Sequence, residues 1–417
     1  MTAGPDLAYL GQRARIAARQ LAGATTLAKD AALREAGELL ADRADEVLEA
    51  NALDLAAAEA LPGTSGTALD RLRLTPARLQ GMAQGLRQVA TLPDPVGEVT
   101  EGRVMPNGLR VRRVRVPLGV VGVIYENRPN VTSDAAGLCL KSGNVAFLRG
   151  SSAAIASNRV IASILRESAA KAGLPEDAVL LMDDASREAA TAFMRLRGVI
   201  DCLIPRGGPS LVKAVIEQAT VPYVIDGDGN CHVYVDAAAD LDLATAVVVN
   251  AKMSRPGVCN AAESLLVHEA VAREFLPRVA AALEGVELLG DEGTRAILPS
   301  VVPVTEADYA TEFLDLKLSV AVVDDIDAAL DHIARYGSGH SEAIITNDLG
   351  AAGRFTREVD AAAVLVNAST RFVDGAELGL GAEIGISTQK LHARGPMGLR
   401  ELTTLKYVVE GDGQVRL

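Results

Sequence analysis

The apolar positions of this chain change their period along its length, and each change marks a different kind of element. Early on they recur every three or four residues: Leu7, Leu10, Ala14, Ala17 and Leu21, then Leu39, Leu40, Val47 and Leu48 beyond Gly37, a helical spacing. Thr75-Pro76 supplies an N-cap and an N1 proline, predicting a helix to about Gln88, and Leu92-Pro-Asp-Pro-Val-Gly97 breaks it. Residues 110–116 (RVRRVRV) alternate Val and Arg near period two, as an exposed strand does. Residues 405–410 (LKYVVE) have the same β-rich character. These two segments could pair into a protruding flap or stand as separate solvated edge strands, and pattern alone leaves both open.

From Pro117 the strands become continuous apolar runs over 118–124, 145–148 and 179–181, with helical stretches over 152–172 and 189–194. Apolar strands alternating with helices predict a parallel sheet covered on both faces, because only a strand buried on two sides can be apolar throughout. A second series over 231–236, 262–268, 318–324, 343–346 and 363–367 predicts a second α/β unit. No internal repeat and no low-complexity linker interrupts the chain.

Composition narrows the classes. A length of 417 residues suits two or three domains. A hydrophobic fraction of 49% with 23% charged residues, and only 38 Gly and 17 Pro, excludes collagen-like and disordered chains. The net charge of −13 argues against a general nucleic-acid binder, and 3% aromatics without Trp leaves few platforms for base stacking. Apolar runs such as 120–125 fall far short of the roughly 20 residues of a membrane span. The start, Met1-Thr-Ala-Gly-Pro-Asp6, lacks a basic segment followed by an apolar one, so the expected location is cytoplasmic. Cys139, Cys202, Cys231 and Cys259 lie far apart without a Cys-x-x-Cys clip, which argues against a disulfide scaffold and against a bound metal.

The candidate chemistry centres on one of these cysteines. Cys139 and Cys202 sit in apolar runs and read as core, and Cys231 begins a strand. Cys259 instead follows a Pro-Gly turn in Lys252-Met-Ser-Arg-Pro-Gly-Val-Cys-Asn-Ala-Ala-Glu263, near two cations able to favour a thiolate. The residues alone leave it either a nucleophile or an inert loop cysteine.

That segment resembles the catalytic-cysteine loop of the aldehyde dehydrogenase superfamily, in its gamma-glutamyl phosphate reductase family. So do residues 125–132 (YENRPNVT), 138–144 (LCLKSGN), 148–150 (LRG), 231–236 (CHVYVD), 337–342 (GSGHSE) and 392–398 (HARGPMG), in the family's order over nearly the whole chain. The resemblance implies an α/β fold of two Rossmann-like three-layer αβα domains plus a protruding β oligomerisation flap. The implied NADP-binding domain covers 1–103 and 117–229, the catalytic domain 230–390, and the flap 104–116 with 401–417. It implies NADPH-dependent reduction of L-glutamyl 5-phosphate to L-glutamate 5-semialdehyde with release of phosphate, the second step from glutamate to proline.

In the same reading Cys259 is the nucleophile and Asn127 the side-chain donor to the oxyanion. Arg149, Ser151, Arg206, Gly207 and Glu312 are the expected NADPH/NADP contacts, and Arg128, Arg255, Arg371 and Arg394 the candidates for the anionic groups of the substrate. His232 and His340 read equally well as structural histidines. A homodimer or homotetramer is implied, together with a functional association with glutamate 5-kinase. The competing reading is an aldehyde-oxidising NAD(P) dehydrogenase. Such enzymes carry a water-activating glutamate upstream of the cysteine, whereas no Glu occurs here between Glu217 and Glu263. Asp226 and Asp228 are shorter and read better as turn residues. An acidic chain proposed to take two strongly anionic ligands must also gather its arginines around them.

Overall fold

In the computed structural model, which describes residues 7–61 and 66–416, the chain divides into two units. The first comprises Met1–Val224, Leu380–Gly385 and Met397–Leu417, and the second Ile225–Gly379 and Ile386–Pro396.

The first unit opens with helices Leu7–Leu21, Thr26–Asp42, Ala44–Glu59 and Pro76–Thr91. The Thr75 hydroxyl accepts the N–H of Arg78 and Pro76 occupies the first turn, so the cap read from the sequence starts the fourth of them. Its central sheet is parallel, from β3 (Val120–Tyr125), β4 (Val145–Arg149), β5 (Val179–Leu181) and β6 (Cys202–Arg206), in the order β5-β4-β3-β6. β3 is buried along its whole length, which explains its lack of polar alternation. The expected helix from 152 begins as a 3-10 turn over Ser152–Ala154 before Ile155–Lys171 continues as α-helix.

The exposed strands do pair. β1 (Val99–Val104) lies antiparallel to β2 (Arg110–Pro117), and β2 to β16 (Thr403–Glu410), as a separate three-stranded sheet. The expected flap over 104–116 is therefore too short. Its first strand already begins at Val99, just past the Pro-Asp-Pro break, where strand alternation had not been apparent because Thr, Glu and Gly fill the run.

The second unit is built on seven parallel strands: β7 (Cys231–Val235), β8 (Ala262–His268), β9 (Glu287–Gly290), β10 (Val302–Pro303), β11 (Lys317–Val323), β12 (Ser341–Ile345) and β13 (Ala363–Val366), in the order β10-β9-β11-β8-β7-β12-β13. Alternate residues of β7, β8, β11 and β12 serve opposite faces. Val233, Val235, Leu265, Val267, Leu318 and Val320 pack with Phe275 and Leu276 on one side. Tyr234, Leu266, Ala321 and Ile344 pack with Ile333 and Phe355 on the other. Helices cover both faces, completing three layers. The short strands β9 and β10 escape the apolar pattern because they lie at the margin of the sheet, β10 as its edge strand and β9 beside it, with Glu287 and both residues of β10 exposed.

The unit boundaries differ from the expected 229/230 and 390. Residues 225–229 belong with the second unit because they are tied into it: Ile225 N–H donates to Gln389 (2.8 Å), Gly227 N–H to the Ile386 carbonyl (3.0 Å), and Asp226 accepts the Ile386 N–H (2.7 Å). Two further strands, β14 (Ile386–Ser387) and β15 (Gly395–Pro396), close that return crossing. Among the described residues, no helix is long and apolar enough to cross a membrane.

Candidate active site

Cys259 lies on the loop between helix Leu241–Met253 and β8, and is the only one of the four cysteines not buried. Cys139 and Cys202 are enclosed, and burial pushes both thiols upward, Cys202 to about 12, which leaves them protonated and inert. The cysteine loop is held on every side. A Cβ at Gly229 would fall 1.7 Å from the Cys259 carbonyl oxygen, so only glycine allows that approach. The Cys231 thiol donates to the same carbonyl at 3.1 Å. The next residue, Asn260, donates to the Val373 carbonyl (2.9 Å), while its own carbonyl accepts the Thr370 hydroxyl (2.7 Å). A nucleophile reacts from a defined position only if its backbone is fixed, and these contacts supply that.

Lys252 is not a free cation beside the thiol. Its ammonium sits 2.5 Å from Glu263, and both side chains are 0% exposed. Burial pushes Lys252 downward and Glu263 upward, each opposed by the charge of the other. Of the substrate candidates, Arg371 braces the cysteine loop, donating from Nε to Ser254 (3.2 Å) and from Nη1 to the Asn260 carboxamide oxygen. Arg394 pairs with Asp360 at 2.8 Å, and Arg255 is exposed. Asp226 is engaged with the Ile386 N–H, and Asp228 is exposed in the same turn.

Glu312, expected at the cofactor, lies against this loop through Gly229, whose N–H its Oε1 accepts at 2.8 Å. His232 and His340 are interior. His232 Nδ1 is 2.9 Å from Glu342 with both buried, and His340 Nδ1 is 2.7 Å from the Ser341 hydroxyl. Burial holds His340 neutral, at about 4.

In the first unit the residues after β3 and β4 converge. Asn127 adopts φ of +23°, and its carboxamide oxygen accepts the Ser151 hydroxyl at 2.8 Å. That bond occupies the oxygen and leaves the amide nitrogen as the donor end of the side chain. Ser151 thus has a partner the sequence did not disclose. Arg149, at the end of β4, donates to the carbonyls of Ala185 (2.6 Å) and Ser186 (2.9 Å), and its Nε is buried without a hydrogen-bond partner. Arg206 ends β6 and half-buried Arg128 follows Asn127. Gly207 permits a close approach, since a Cβ there would come within 2.7 Å of the Glu126 carboxylate. Glu126 in turn accepts the Gly208 N–H (2.9 Å) at the start of helix Pro209–Gln218.

Glu126, Gly229 and Glu263 were not singled out from the sequence. Glu263 left one legible trace, a carboxylate entering an otherwise apolar strand, which requires a buried partner. The roles of Glu126 and Gly229 depend on segments distant in sequence, and no local signal marks them.

Comparison with known proteins places this architecture. A sequence model described as the aldehyde dehydrogenase family matches residues 6–298. The gamma-glutamyl phosphate reductase of Thermobifida fusca is 55% identical over 413 residues, 99% of each chain, and that of Moorella thermoacetica 56% identical over 408 residues, 97% of each. The crystal structure of gamma-glutamyl phosphate reductase from Thermotoga maritima superposes with a TM-score of 0.96 at 48% identity, covering 99% of this chain and 100% of that one. The chain therefore belongs to the aldehyde dehydrogenase family, among its gamma-glutamyl phosphate reductases.

Proposed function

We propose that this chain reduces L-glutamyl 5-phosphate to L-glutamate 5-semialdehyde with release of phosphate, with NADPH as reductant, on the route from glutamate to proline. The observation that carries the reading is Cys259, the one cysteine not buried, on a loop fixed from both sides and with no glutamate in the segment 218–262 to direct water at it.

The mechanism follows from the chemistry of the thiol. The Cys259 thiolate attacks the acyl carbon, the C–O bond to phosphate breaks, and the acyl group is retained as a thioester. Asn127, its amide aimed by Ser151, donates to the oxyanion that forms on the carbonyl oxygen. A nicotinamide cofactor, when bound, would supply the hydride that the Cys259 thioester takes up to become a thiohemiacetal. Collapse of that adduct expels the Cys259 thiolate and releases the aldehyde. Asp226 accepts the Ile386 N–H, as a turn residue does, and no glutamate lies in 218–262, in keeping with reduction rather than aldehyde oxidation.

The residues suit a nicotinamide dinucleotide bearing a 2′-phosphate. Arg149 presents a buried Nε without a partner at the carboxyl end of a parallel strand, where nucleotides bind such sheets. Arg206 and Gly207 occupy the corresponding end of β6, and Glu312 is assigned to the ribose on the nicotinamide side. Arg128, Arg255, Arg371 and Arg394 remain the cations proposed for the carboxylate and phosphate of the substrate. The sheet of β1, β2 and β16 is proposed as the surface joining copies in a homodimer or homotetramer. A cytoplasmic setting, beside the glutamate 5-kinase that makes the labile acyl phosphate, completes the reading.

The test runs the reaction in reverse: NADP⁺ reduction with glutamate 5-semialdehyde, with and without inorganic phosphate. Turnover should require phosphate and disappear in Cys259→Ala. Turnover that ignores phosphate, or that survives in Cys259→Ala, would sink the proposal.

A further inference from the structure

The buried pair of Lys252 and Glu263 has no part in the chemistry above, yet it brackets the nucleophile. Lys252 lies in the last turn of the helix Leu241–Met253, and Glu263 is the second residue of β8, so their contact at 2.5 Å ties the entrance of the cysteine loop to its exit. Glu263 has a second oxygen, and this one accepts the N–H of Leu314 at 3.1 Å. Leu314 has φ of +54°, a left-handed conformation that a leucine does not adopt without an external hold. Two residues earlier, Glu312 accepts the N–H of Gly229, and Gly229 packs directly on the Cys259 carbonyl. The contacts close a circuit: cysteine loop, Glu263, Leu314, Glu312, Gly229, and back to Cys259.

A buried ion pair is weak evidence of a contribution to stability, because apolar residues of similar volume commonly replace one without loss. What an apolar pair could not do is accept the Leu314 N–H. We infer that Glu263 is a positioning residue, a carboxylate that sets the Glu312 segment relative to the Cys259 loop so that the cofactor contact and the nucleophile are held in one register. The inference rests on the roles proposed above for Cys259 and Glu312.

Because a lone substitution would strand a buried charge, the test uses neutral pairs. Lys252→Met with Glu263→Leu removes both charges and the acceptor, whereas Lys252→Met with Glu263→Gln is the conservative rescue that keeps an acceptor for Leu314. Thermal unfolding confirms that both fold. The Leu pair should raise the KM for NADPH by about tenfold, the scale of one lost hydrogen-bonded constraint, and slow alkylation of Cys259 by iodoacetamide several-fold. The Gln pair should restore both to within about twofold.

In a Glu312→Gln background the Leu pair should raise the cofactor KM no further, since it acts through Glu312. Additive effects there, or Leu and Gln pairs that alkylate alike, overturn the inference. A Glu312→Gln variant with unchanged cofactor KM, while alkylation still separates the Leu from the Gln pair, removes the ribose role of Glu312 and leaves Glu263 setting the nucleophile.

Discussion

Asn127 shows how much of a residue's chemistry depends on one neighbour. A carboxamide can present either its oxygen or its amine, and the Ser151 hydroxyl at 2.8 Å occupies the oxygen and leaves the amine as the donor end. If that amine meets the developing oxyanion, Asn127→Ala should lower kcat by roughly 10²–10³ with saturating substrates. Ser151→Ala should cost less, about tenfold, because the amide survives but loses the bond that aims it. Steady-state kinetics on the two variants check this; a Ser151→Ala enzyme more impaired than Asn127→Ala would show that the hydroxyl has a larger task. The residue types were legible in the sequence at both positions. Their mutual contact was not, because 24 residues separate them.

At the scale of elements, the cysteine loop is shaped as much by what lacks a side chain as by what has one. Gly229→Ala would place a methyl group 1.7 Å from the Cys259 carbonyl oxygen, and backbone cannot yield as a flexible side chain can. The variant should lose at least tenfold in turnover together with several degrees of Tm, a combined signature of overpacking. A Gly229→Ala enzyme of normal Tm and activity would show that the loop repacks freely. The flap makes a separate case. β2 is bonded to β16 over the full register from Thr403–Pro117 to Glu410–Arg110, so removing residues 403–417 leaves an unpaired, arginine-rich edge. If this sheet joins copies as proposed, light scattering should then report a lower oligomeric state than that of the full chain. Period-two alternation announced β2 and a β-rich run announced β16, but β1, with Thr, Glu and Gly in its run, carried no such signal.

For the molecule as a whole, the excess of 54 acidic over 41 basic residues would suggest a protein little troubled by mild acid until its carboxylates titrate. The buried histidines predict otherwise. Burial pushes His332 down to about 3, helped by the nearby charges of His232 and Arg335, and His340 down to about 4. Both bind protons more weakly in the folded state than in the unfolded chain, where the ordinary value is 6.5. Stability present above pH 6.5 is therefore lost as the pH falls from there toward 4. His340, fully buried, adds a slope of up to about 1.4 kcal/mol per pH unit in that window. Thermal unfolding at pH 7, 6 and 5 should show Tm falling, and His340→Gln should flatten the fall. An identical slope in the variant would assign the acid sensitivity to other groups.

The sequence by itself determined most of the elements, though not β1, β9 or β10, and what chemistry is on offer. Apolar period marks helices and strands because burial on one face or two imposes it. The residues alone leave Cys259 either a nucleophile or an inert loop cysteine, and the family resemblance supplies its proposed role and that of Asn127. Tertiary structure alone decided which of these groups engage each other. It turned Lys252 from a neighbour of the thiol into the partner of Glu263, Arg371 into a brace on Asn260, and residues 225–229 into part of the second unit. The physical reason is the same in each case: a buried charge or backbone N–H must find a partner, and which partner it finds depends on segments that only the folded chain brings together.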